Sequence, residues 1–209
     1  MLIIVAVEAE RAALRPKPGQ TVIVSGIGPA QSAAAAAVAL ANKKYDTVIS
    51  AGIAGGFAAA GVNLGDIVIA NRICFADLGA HSPEKFLDAQ SLGWPGSTYD
   101  CPAATVADYA QRIRATGLMV HTGTILTVAA ATGTAARAAE LYAKYNPIAE
   151  AMEGAGVAAA CVRSSVLSPQ SSVLEVRAIS NLVGPRDLKS WDIPRALASL
   201  ATALEALPS

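Results

Sequence analysis

Thr47-Val-Ile-Ser-Ala-Gly-Ile-Ala-Gly-Gly-Phe57 opens with five small or β-branched residues and runs into three glycines set among apolar side chains. A short apolar run of this kind predicts a strand buried in a sheet, here over residues 47–51. The glycines behind it let backbone amides approach a ligand or form a nest for an anion, and they equally suit a tight turn. Outward from this stretch, short β-branched runs alternate with Ala-rich helical ones, the pattern of an α/β layer fold with a mostly buried sheet. The other strands are expected at residues 2–7, 21–26, 66–77, 118–127 and 174–180. Helices are expected at 8–14, 29–43, 106–115, 130–144, 153–162 and 193–207. Pro29 suits a first helical turn, and Asp192 suits the cap of the last helix. Residues 77–102 and 183–192 are richer in polar residues, Gly and Pro, as binding segments and lids are.

Composition narrows the function. The chain has 209 residues, 53% of them hydrophobic, which suffices for one domain spanning 1–209. Lys plus Arg equals Asp plus Glu, 16 each, and there is no basic run to follow a phosphate backbone, so nucleic acid is not an expected partner. Cys74, Cys101 and Cys161 lack CxxC spacing, and His81 and His121 stand far apart. Neither a disulfide framework nor a metal site is expected, and a reducing, cytoplasmic setting fits. The apolar start is too short for a signal peptide, and the Ala-rich run at 30–41 is too short to span a bilayer, so no membrane association is expected.

In an open α/β sheet, ligands bind beyond the carboxyl ends of strands. Glu8, Glu10, Gly26, Gly52, Thr127 and Asn181 are expected at such ends. Ser25-Gly-Ile-Gly-Pro-Ala-Gln31 is half of a dinucleotide fingerprint, but Gln31 holds the third glycine place and no acid follows at the right distance, which favours a plain turn. Glu8 and Glu10 are either functional carboxylates or acids favoured by a helix dipole, and Glu153 carries the same two readings. Asn181 is a turn former or a reader of a heterocycle edge, with one acceptor and two donor hydrogens.

Taken in order, VAVEAERAAL, SGIG, SAGIAGGF with GDIVIA, TGTILTV, AMEGAGVAAAC and VRAISN resemble the purine nucleoside phosphorylase and methylthioadenosine nucleosidase superfamily over most of the chain. ADLGAHSPEKF (76–86) and SNLVGPRDLKSWDIPRAL (180–197) are similar to futalosine hydrolases, enzymes of the alternative menaquinone pathway. The resemblance implies a three-layer α/β/α sandwich around a central mixed twisted sheet. It also implies a cofactor-free enzyme that adds water at the anomeric carbon of a purine nucleoside, through a cation-like sugar. On it, Glu10 takes the water-activating position, Glu153 the ribose hydroxyls and Met152 the sugar, while Leu126 and Thr127 border the purine. Ile53 and Ser180 complete the substrate-binding set.

Two departures from the superfamily refine this expectation. Where uridine and hexameric purine phosphorylases carry an Arg and a Ser for phosphate, this chain has Ser50 and Ile53, which favours water as the attacking group. Methylthioadenosine nucleosidases usually have Asp at the place of Asn181. An Asn amide can donate to O6 of hypoxanthine and accept from its protonated N7, a fit that an ionised Asp lacks. Asn cannot supply the N7 proton, and Asp187 reads as a turn cap or a partner of Arg186 more than as its source. For the aromatic carboxylate on the 5′ side of futalosine, Phe75, Phe86, Trp94, Trp191, Arg72, Lys85 and Lys189 qualify by type. Related nucleosidases form homodimers, so a homo-oligomer is expected.

Overall fold

The computed structural model describes residues 1–164 and 171–209. The chain opens with β1 (Leu2–Val5), all four residues buried, and turns at once into the short helix α1 (Glu8–Ala13). β2 (Thr21–Val24) lies parallel to β1, and α2 (Pro29–Asn42) starts on Pro29, whose fixed φ and missing N–H suit a first turn. Then come β3 (Thr47–Gly56), β4 (Ile67–Phe75), the paired β5 (Gly79–His81) and β6 (Phe86–Asp88), and β7 (Thr98–Asp100). The second half runs α3 (Ala103–Arg114), β8 (Val120–Thr127), α4 (Ala135–Tyr145), β9 (Pro147–Ala151), α5 (Gly154–Ser164), β10 (Ser172–Leu182) and α6 (Ile193–Glu205).

The α/β class is as the alternation of strands and helices predicts, and the central mixed sheet is as the resemblance implies. Strand order is β10-β4-β8-β9-β3-β1-β2, and β10 also pairs with β3 in parallel along its length. The last two residues of β3, Gly55 and Gly56, pair antiparallel with β9. Five strands, β3, β10, β4, β8 and β9, therefore close into a ring from which β1 and β2 extend. Ring closure explains the glycines of the opening stretch: they continue the strand to Gly56 where a loop was expected after Ala51. A Cβ at Gly56 would stand 2.6 Å from Val62 Cγ2 and 3.0 Å from Ile179 Cγ2, so only glycine lets the strand bend in this close.

Leu2, Ile3, Ile4, Ile49, Ile67, Ile69, Ile73 and Ile125 are all buried against the sheet. Each such side chain contributes roughly 1.5–3 kcal/mol on burial. α2 packs on α5, while α6 meets both α1 and α3, giving helical groups on the sheet. Gly156 makes the first of these contacts close, because a Cβ there would collide with the Pro29 carbonyl and the Ser32 hydroxyl. Besides the longer β3, the short strands β5, β6 and β7 fall in the 77–102 segment where a loop was expected, and two more elements differ. α4 starts at Ala135, not 130, because Thr134 caps it by accepting from Arg137 N. β9 was not expected, since a five-residue strand opening with Pro and containing Glu150 has little local β propensity. Among the described residues no helix is long and apolar enough to cross a membrane.

Candidate active site

A cavity of about 340 Å³ opens at the ends of β1, β3, β9 and β10. Glu10, Ile53, Met152, Glu153, Ser180 and Asn181 all line it, so six of the eight site residues expected from sequence lie around one cavity. Leu126 and Thr127 do not line it. Leu126 is buried with Phe57, Cys74 and Val128, and Thr127 Oγ1 accepts from Ala155 N at the start of α5. The next residues along, Val128, Ala131 and Thr132, face the cavity in their place.

Glu10 is 3% exposed although it sits on a six-residue helix. Its Oε2 accepts from Ala6 N at 2.8 Å and Val7 N at 3.2 Å, and Oε1 accepts from Ile53 N at 2.9 Å. A carboxylate offers about four acceptor positions, so three are filled and one remains, on Oε1. Glu8, by contrast, is exposed and paired with Arg11. Gly52 is what allows Glu10 its place, because a Cβ there would run into Glu10 Oε1 and would stand 2.6 Å from Arg177 Nη1.

Glu153 stands just before α5 and is 6% exposed. Its Oε1 accepts from Gly28 N at 3.0 Å, and its Oε2 from Arg177 Nη2 at 3.0 Å and Met152 N at 3.3 Å. The Gly26–Gly28 turn is therefore a cradle for a carboxylate of the protein itself. Both glycines have positive φ, 87° and 94°, which lets the turn aim the Gly28 amide inward. Arg177, 1% exposed and in the middle of β10, also donates to Glu175 Oε1 and Ser50 Oγ, both at 3.0 Å. Burial pushes the Glu175 carboxyl up to about 7, against the opposing pull of Arg177. The acids around Arg177 outweigh its own burial and hold its guanidinium above the ordinary range.

At the other end of the cavity Asn181 Oδ1 accepts from Ser180 Oγ at 2.9 Å and Nδ2 donates to the Leu182 carbonyl at 3.2 Å, which together orient the amide and leave Nδ2 a second hydrogen to donate. Beside it stands Glu150 on β9, 6% exposed, with Oε1 accepting from Thr132 N at 2.8 Å. Its Oε2 is buried and has no hydrogen-bond partner among the described residues. Burial, reinforced by Asp77 and opposed by Thr132 and Arg137, raises the Glu150 carboxyl above the ordinary range. At the rim, the Arg186 guanidinium lies 5.3 Å over the Trp191 ring, and both residues line the cavity. Trp191 alone of the seven aromatic and basic residues considered for the 5′ group lines the cavity; Arg72 is paired with Asp100 at 2.7 Å. Asp187 caps a short turn by accepting from Lys189 N.

Sequence reasoning missed Arg177 and Glu150. An arginine and a glutamate inside otherwise apolar strands are the signal that was there to find, since buried charges need partners. Among the described residues no group of three His, Cys, Asp or Glu side chains converges to hold a metal ion.

The ring-closed mixed sheet thus gathers three buried acids, Glu10, Glu150 and Glu153, around one cavity at its strand ends. The chain belongs to the phosphorylase superfamily, whose sequence profile matches residues 17–208. It is 44% identical over 192 residues to the futalosine hydrolase of Streptomyces coelicolor, covering 89% of this chain and 77% of that one. It is 41% identical over 187 residues to the futalosine hydrolase of Acidothermus cellulolyticus, covering 89% and 74%. In fold it matches the 5′-methylthioadenosine/S-adenosylhomocysteine nucleosidase of Neisseria meningitidis, with a TM-score of 0.81 at 22% identity, over 98% of this chain and 96% of that one.

Proposed function

We propose that this protein is a futalosine hydrolase: it cleaves the N-glycosidic bond of futalosine with water, releasing hypoxanthine and dehypoxanthinylfutalosine. The observation that carries the reading is the pairing, in one cavity, of two buried carboxylates with an oriented amide at the far end. Glu10 takes a proton from water through the single acceptor position left on Oε1, and the water oxygen bonds to the anomeric carbon as the bond to N9 breaks. The two carboxylates stabilise the positive charge that develops on the sugar. Glu153 has one acceptor position left, on Oε1, for a ribose hydroxyl, and Met152 and Ile53 pack around the sugar. Asn181 donates through Nδ2 to O6 of the base and accepts from N7 once protonated, which favours a 6-oxopurine over a 6-aminopurine.

Arg177 is the cation nearest these acids, and it is committed to Glu153 and Glu175. A phosphate dianion entering here would meet Glu10 and Glu153, which supports water as the nucleophile. At the rim, the stacked Arg186 and Trp191 provide a flat apolar face and a cation for the aromatic carboxylate of the substrate. Ile27, 59% exposed at the same rim, and exposed Leu182 fit a homodimer in which a second copy covers the 5′ end. In this reading the protein acts in the cytoplasm, in the alternative menaquinone pathway, as one domain without a cofactor. The test is hypoxanthine release from futalosine in phosphate-free buffer, with the 6-amino counterpart in parallel. Release from futalosine alone is expected. Release only after phosphate is added would make the protein a phosphorylase.

A further inference from the structure

A departing hypoxanthine leaves far more readily once N7 carries a proton, and neither oxygen nor nitrogen of the Asn181 amide has one to give. The proton donor must stand at the same edge of the base as Asn181. One group does. A Cβ built on Gly55 would lie 3.2 Å from Asn181 Nδ2 and 3.7 Å from Glu150 Cγ, so the two side chains flank the same glycine at the base end of the cavity. On the purine, O6 and N7 are likewise neighbours on one edge.

Resting on the futalosine reading above, we propose that Glu150 is the general acid, handing the proton on its carboxyl group to N7 as the bond to N9 breaks. Its Oε1 is occupied by the Thr132 amide, whereas Oε2 is buried without a partner among the described residues. Capping the loop before α4 needs only one of the two oxygens, which leaves Oε2 for another task. A buried, unpartnered carboxylate oxygen is costly as an anion and far less so when it carries a proton. The charged groups that act on Glu150 are Asp77, on the segment after β4, and Arg137, on α4. Asp77 ties the same loop through Ala129 N and Ala130 N and favours the protonated acid, while Arg137 opposes it and is itself paired with Glu140. The protons and electrons balance. The C1′–N9 electron pair goes to the purine as N7 gains the Glu150 proton, the water oxygen bonds to C1′, and the proton it loses goes to Glu10. Exchange with solvent then resets both acids.

The experiment compares Glu150→Gln with the unaltered protein on two substrates, futalosine and its N7-methylated form, whose cationic purine leaves without being protonated. Gln retains an acceptor for Thr132 N, so the loop cap survives. Turnover of futalosine should fall by roughly a hundred- to ten-thousand-fold, the range for losing a general acid. Turnover of the N7-methylated substrate should fall less than about tenfold, and the alkaline limb of the kcat/KM profile should vanish with the acid. Equal losses on both substrates would mean a structural role and overturn the proposal, as would an unchanged rate on futalosine. In the latter two cases the hydrolase reading stands. Unaltered protein that fails to release hypoxanthine from futalosine would overturn both.

Discussion

Replacing Arg177 with Met tests whether the charge cluster beneath the site is organised as described. Arg177 is 1% exposed and donates to Glu175, Glu153 and Ser50. Met fills much of the same volume but strands Glu175, which is fully buried, and removes one of three donors from Glu153. Breaking a buried pair by removing one partner costs about 3–5 kcal/mol. Set against a total stability of about 5–15 kcal/mol, that is a large fraction. At about 2–4 °C per kcal/mol for a chain of this size, the melting temperature should drop by roughly 6–20 °C. The sign of the pH dependence follows from Glu175. Its folded pKa is raised to about 7, so its protonated form is favoured by folding, and the associated stability is present in acid and lost as pH rises through that value. Without Arg177 the folded pKa rises further, so the deficit of the variant should widen above pH 7. Urea denaturation at several pH values, repeated in a Glu175→Gln background, measures both effects. In that background the stranded charge is gone and the loss should shrink. A loss below about 1 kcal/mol, or one unchanged by Glu175→Gln, would refute a load of mutually dependent buried charges.

Three further substitutions address the chemistry. Glu10→Gln should leave substrate binding within a few-fold while abolishing turnover, measured by calorimetry and hypoxanthine release; full activity would remove Glu10 as the base. Asn181→Asp should move the ratio of kcat/KM for futalosine over its 6-amino counterpart toward the amino substrate by about a hundredfold, the worth of one mismatched buried hydrogen-bonding group of some 1–3 kcal/mol. An unchanged ratio would show that selectivity resides elsewhere. Arg186→Ala should raise KM for futalosine by about tenfold, as for the loss of one charge-assisted hydrogen bond of roughly 1.5 kcal/mol, yet leave a substrate lacking the aromatic carboxylate unaffected. Equal effects on both substrates would detach Arg186 from the carboxylate.

The resemblance, and no local pattern, chose Glu10 over Glu8 and brought in Glu153. The sequence by itself determined the alternation of strands and helices, the buried class of the sheet, and the position of Asn181 near the end of a strand. These are local properties: an apolar run of the right length, a Pro at a first turn, a polar residue where an apolar strand stops. Only the tertiary structure decided that Gly55 and Gly56 belong to β3, because their conformation is set by β9 closing the ring from about ninety residues away in sequence. Likewise, nothing local distinguishes Gly28 as the donor to Glu153, or Arg177 as the hub joining Glu153, Glu175 and Ser50. Leu126 and Thr127 show the limit of a resemblance by spacing, since both are buried at the end of β8 and Val128, just past the strand, lines the cavity instead. Glu150 shows it most clearly. In sequence it is one acid in a stretch without strand propensity, and its unpartnered oxygen exists only because β9, the loop before α4 and β10 meet around it. The site is built from backbone amides and buried charges brought together by the sheet, and such partnerships are fixed by packing, not by neighbours in the chain.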